Sequence, residues 1–271
     1  MSEEHRHMPD ANRLSVLIAA ILLAYALAHL IETSPYLLQF SILGFVLSIP
    51  LNLTLAATLL STGLTAAGTD WLLRGHPHLN GESTFQHWIL PALTSFVLGV
   101  PLYNLPFGPI WLACFGLGGL LLMLVFLAEY IALDSSDVRH PAASAGLAAL
   151  SYAMFLILMT TLSFFSTRLI LVTVVVFPAT CLVVLRTLHL RVGRWEFAWS
   201  FGIALILTQL AAALHYWPLQ PVQVGLALLG PLYVLTELVI NLDEAISLRR
   251  AGIEAFFGLV IFWVAAILVR G

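Results

Sequence analysis

The chain has 271 residues, of which 61% are hydrophobic and only 9% charged, with a formal net charge of −3 at pH 7. Soluble domains carry about 25% charged residues, and the large skin of a protein this size has to be polar in water. A soluble globule is therefore excluded, and an acidic balance without basic patches excludes a nucleic-acid partner.

In chain order, residues 1–13 form a polar tail and residues 14–271 a single transmembrane domain. A helix needs roughly 20 apolar residues to cross a hydrocarbon core about 30 Å thick. Nine runs qualify, at 14–31, 41–66 (interrupted by Pro50), 87–103, 109–133, 143–165, 169–185, 197–217, 222–242 and 253–269. The last begins beside Glu254 and is the weakest. Helices are the expected form, because an open strand edge in lipid leaves backbone groups unsatisfied. The fold class is thus all-α: a polytopic helical bundle with about nine transmembrane helices. The first run exceeds the usual h-region of a signal peptide, and Glu3, Glu4 and Asp10 precede it, so it reads as a retained anchor.

Arg alone sets the cationic pattern, since the chain has no Lys. With nine spans, Arg6, Arg13, Arg74, Arg139, Arg186, Arg191, Arg194, Arg249 and Arg250 fall on one side, and only Arg168 and Arg270 on the other. Arg in short loops stays cytoplasmic, which puts the N-terminus inside. The missing Lys also removes a retinal or pyridoxal Schiff base and a P-loop. Cys114 and Cys181 sit near opposite ends of their spans, so no disulfide is implied. The Pro residues that follow His29 and His215 are a faint sign of an internal repeat of the transporter kind.

Three polar constellations remain. Asp70, His76, His78 and His87 occupy an inner loop that also carries Arg74 and Glu82. Imidazole and carboxylate suit Zn or Fe, and a metal with an open position would activate water. The plainer reading is a solvated loop with Ser83 or Thr84 capping the next helix. The second constellation lies just inside the membrane on the same face. Glu129 and Glu237 are candidate acid/base groups, and Tyr233, Glu237, Asn241 and Arg74 are candidate substrate contacts. The alternative is structural ion pairing with Arg186, Arg74 or His189. The third is outer: His29, Glu32 and His215, a weaker metal candidate.

The strings GTDWLLRGHP, HWILP, LRTLHLR and ALHYWPLQP resemble those of an uncharacterised family of bacterial multi-span inner-membrane proteins. The resemblance implies a bacterial cytoplasmic membrane location and transfers no reaction or catalytic residue. Two functional readings follow. In the first, the chain is a non-catalytic module that binds or transports a lipid or hydrophobic small molecule, or an accessory subunit among other membrane subunits. In the second, it is a membrane-embedded metal-dependent enzyme acting on a lipid or isoprenoid at the cytoplasmic face.

Overall fold

The computed structural model describes residues 9–31, 36–42, 45–51, 53–75, 84–134, 137–165 and 168–269. Nine helices run through them: α1 Ala11–Leu30, α2 Leu53–Leu73, α3 Phe85–Asn104, α4 Pro109–Ala132, α5 His140–Phe165, α6 Leu169–Val192, α7 Phe197–His215, α8 Pro221–Asp243 and α9 Leu248–Leu268. Eight of them, all but α2, are long and apolar enough to cross a membrane. The chain is a multi-pass helical membrane protein.

Two boundaries differ from the sequence expectation. The run at 41–66 is not one Pro-interrupted helix. Its first part joins a hairpin in which β1, Tyr36–Ile42, pairs antiparallel with β2, Phe45–Leu51, and Leu37 lies opposite Pro50. Both strands are edges, the one place in a sheet where a Pro without an N–H is tolerated. Helix α2 starts after the hairpin and continues past the expected end at Ala66 to take in Asp70 and Trp71. Helix α6 likewise runs beyond 185, so Arg186, His189 and Arg191 are helical rather than in a loop. It stops at Gly193, whose φ of +78° allows the left-handed C-cap, with its N–H bonded to the His189 carbonyl.

The chain divides into two compact units, residues 1–137 and 138–271. In the first, Asp10 caps α1 by accepting from the Asn12 N–H at 2.9 Å, and Pro109 opens α4, where its missing N–H has no cost. Leu17, Ile21, Tyr25, Leu122 and Phe126 form the core. Glycines set the close approaches: Gly68 faces Leu17, Gly99 faces Thr58 and Tyr25, and Gly119 faces Leu22. The pairings make α1 to α4 alternate in direction. One end gathers Arg13 over the Trp71 ring, at 5.2 Å, with Asp70, Thr84, His87 and Glu129. The opposite end holds the Trp111 indole, which donates to the Leu102 carbonyl at 2.9 Å, and His29 beside it.

Helix α2 thus runs the length of its neighbours although it is the least apolar. Its hydroxyls make this possible. Thr62, Thr65 and Thr69 each donate to the carbonyl four residues back, at 2.6–2.7 Å, which satisfies them without water.

In the second unit α5 packs antiparallel on α8, through Tyr152 against Tyr233 and Leu156 against Gly225. Helix α6 packs antiparallel on α7, through Phe177 against Phe201, and α9 returns along α8. The C-terminal ends of α6 and α8 lie together, joined by Arg191 to Glu237 and Arg194 to Asp243. Arg249 and Arg250 open α9 at that same end. Ser163, Val172 and His215 mark the other.

Candidate functional site

The first unit brings together part of the first constellation. His87 is in the first turn of α3 and Glu129 in the last turn of α4, two antiparallel helices. The His87 Nδ1 and Glu129 Oε2 are 2.7 Å apart, with the residues only 4% and 0% exposed. The Gln86 side-chain nitrogen lies 3.2 Å from His87 Nε2. An amide nitrogen only donates, so Nε2 accepts and the ring proton sits on Nδ1, directed at the carboxylate. His87 is thus a partner of Glu129, a pairing the sequence expectation did not include.

Next to this pair, Asp70 accepts from the Thr84 hydroxyl, and from Arg74 Nε at 2.7 Å. The Trp88 indole in turn donates to Thr84 at 3.1 Å. Thr84 sits at the N-cap of α3 but makes no capping bond with its side chain; its proton goes to Asp70 and its oxygen accepts from Trp88. The Arg74 side chain is mostly exposed. His76 and His78 lie outside the described residues. Among the described residues, no group of three or more His, Cys, Asp or Glu side chains is placed to hold a metal ion.

The second unit holds the rest of the inner constellation. Tyr233 and Glu237 lie one turn apart on α8, and the Tyr233 ring meets Tyr152 of α5 edge-on at 5.5 Å. Glu237 is within 3.9 Å of Arg191, with a quarter of its side chain exposed. Asn241 is half-buried a turn further on. Outside the spans, Arg194 bridges Glu196 and Asp243, and the hydrogen bond to Glu196 with the Asp243 charge pushes its guanidinium further up.

The outer constellation draws on both units. His29 packs beside Trp111 with the rings tilted and their centres 5.0 Å apart, in the first unit, and His215 belongs to the second. Glu32 lies outside the described residues.

Two adjoining chambers near the opposite end of the second unit were not foreseen. The larger, about 670 Å³ and open to the exterior on one side, lies between α7, α8 and α9 and is lined by Leu210, Ala213, Leu214, Trp217, Ala227, Trp263, Ala266 and Ile267, among others. Leu210, Ala213 and Leu214 follow the one-face spacing of a helix, as do Trp263, Ala266 and Ile267. Each helix places an Ala on this face, and the missing bulk is what leaves the space. Gln223 contributes only its stem: its nitrogen donates to the Val269 carbonyl and its oxygen accepts from the Gln220 N–H. The smaller chamber, about 110 Å³, reaches Ser163, Val172, His215 and Leu228, and shares Leu214, Trp217 and Leu219 with the larger. Trp217-Pro218-Leu219 is the sequence trace of this feature, since Pro218 and Pro221 stop α7 from running on into α8 and leave Leu219 as a wall.

Helices, chambers and buried pair together define a multi-pass helical membrane protein with an apolar cavity among its last three helices. A family model described as a protein of unknown function, DUF5656, matches residues 33–269, and the chain belongs to that family. No curated protein and no solved structure matches it.

Proposed function

We propose that this chain is a non-catalytic membrane module that holds a lipid or similar hydrophobic molecule in the larger chamber between α7, α8 and α9. One observation carries the reading: the chamber's 670 Å³ and its aliphatic and indole lining. Sites for small molecules fall at roughly 300–1,000 Å³ and are mostly apolar with few polar groups. The polar groups elsewhere are engaged in ways that hold helices together, as His87 with Glu129 and Arg191 with Glu237.

The test is lipid retention. Protein purified in mild detergent should carry close to one lipid per chain by mass spectrometry. Ala213→Phe and Ala227→Phe fill the chamber from two different helices, and each should strip most of that lipid while the protein stays folded. Wild-type protein that retains none, or variants that retain as much, would sink the reading.

The Arg pattern and the family resemblance support a bacterial cytoplasmic membrane with the N-terminus inside. With Cys114 and Cys181 replaced by Ser, Ser247→Cys near the Arg-rich end should react with an impermeant maleimide only after cells are opened. Tyr216→Cys, at the chamber end and well exposed, should react in intact cells. The reverse pattern would invert the topology.

A further inference from the structure

We infer that the two chambers form one site for a single-chain amphiphile with an anionic oxygen head, its tail in the larger chamber and its head at Ser163, His215 and Trp217. The inference rests on the hydrophobic-ligand reading of the larger chamber and adds the class of ligand.

The chambers adjoin, sharing Leu214, Trp217 and Leu219, and their linings differ in chemistry. The larger offers hydrocarbon and indole faces. The smaller adds a hydroxyl and an imidazole, both half-buried. Neither the Ser163 hydroxyl, the His215 ring nor the Trp217 indole makes a hydrogen bond among the described residues. Between them they offer three donors, a hydroxyl proton, a ring N–H and an indole N–H that can only donate, and no charged acceptor. No Asp or Glu lines either chamber, so nothing there repels an anion. A head rich in acceptors, a carboxylate or a phosphate ester, matches three donors. A hydroxyl head, with two acceptor lone pairs, would leave one of them unanswered.

Depth agrees with this orientation. Ser163 and His215 are in the last turns of α5 and α7, and Trp217 is exposed just past the end of α7, where aromatic rings meet the polar interface of a membrane. Leu210 is five residues below His215, roughly 8 Å along the helix axis at 1.5 Å per residue. The tail thus runs inward while the head stays at interface level.

Brominated chains test the inference, because bromine quenches tryptophan on contact and Trp217 and Trp263 wall the tail chamber. The full chain in nanodiscs is titrated with 9,10-dibromostearic acid, its lysophosphatidic acid counterpart and 9,10-dibromostearyl alcohol. The acid should half-saturate at roughly tenfold lower concentration than the alcohol, the size of one charge-assisted hydrogen bond. His215→Gln and Ser163→Ala are conservative at half-buried positions. Together they should bring the acid to the alcohol's value and leave the alcohol unchanged. Tighter binding of the lysophosphatidic acid would name a lipid head as the source, and preference for the acid a free fatty acid. Equal binding of acid and alcohol, unaffected by the double variant, would overturn the anionic head and leave the hydrophobic reading standing. No quenching by any chain would remove both.

Discussion

Glu129→Leu should lower the unfolding free energy by about 1–3 kcal/mol, the usual cost of taking one partner away from a buried hydrogen-bonding group. Glu129 has no solvent exposure, and His87 opposite it is nearly as buried. An apolar side chain in place of the carboxylate takes away the acceptor that faces the Nδ1 proton, at a ring almost shut off from solvent. His87→Leu in the wild-type background should be similarly harmful, since it takes a hydrogen-bond donor from a buried carboxylate. The double variant His87→Leu/Glu129→Leu should recover most of the loss, because neither polar group is then left unsatisfied. Glu237→Leu is the contrast: a quarter-exposed side chain 3.9 Å from Arg191 should change stability by no more than about 1 kcal/mol in either direction. Denaturant unfolding in one detergent, followed by tryptophan fluorescence, gives all four values and closes a double-mutant cycle. A near-additive double variant would show that the two side chains do not act as a pair.

Much of the helical framework is legible in composition and run length, because lipid leaves the chain few other choices. The run at 41–66 fails for a physical reason. Short apolar stretches carry no periodicity that separates a buried helix from a strand, and Pro50 is as compatible with a hairpin edge as with a kinked helix. The pairing of Glu129 with His87 was hidden for a different reason. His87 lies 42 positions away, and only the antiparallel packing of α3 on α4 brings the two together. Tyr233 and Glu237, by contrast, share a face through local spacing alone, and the helix confirms it. The chamber had almost no local signal. Ala213, Ala227 and Ala266 look like the many other alanines in the chain, and they become a cavity only when three helices turn them toward one another.

Gly225→Val should destabilise the protein strongly and weaken ligand binding together. A Cβ at Gly225 would stand 2.6 Å from Thr160 Oγ1, 2.9 Å from Leu156 Cδ1 and 3.3 Å from the Leu156 carbonyl oxygen. The leucine tip can swing away, but the carbonyl belongs to the backbone of α5 and cannot, so the two helices have to part. Within lipid this matters more than in water, because lipid tails are as apolar as the side chains and close packing is a main force holding helices together. Overpacking typically costs about 1–3 kcal/mol, and the branched valine, with one dominant rotamer in a helix, has little room to evade it. Val224 and Leu228 flank Gly225 and line the smaller chamber, so a displaced α8 also moves the walls around the head of the ligand. Gly202 on α7 is the control, since a Cβ there meets nothing within 4 Å, and Gly202→Val should be nearly silent. A thermal scan of both variants decides the matter. If Gly225→Val melts with Gly202→Val, the α5–α8 contact is looser than these distances require.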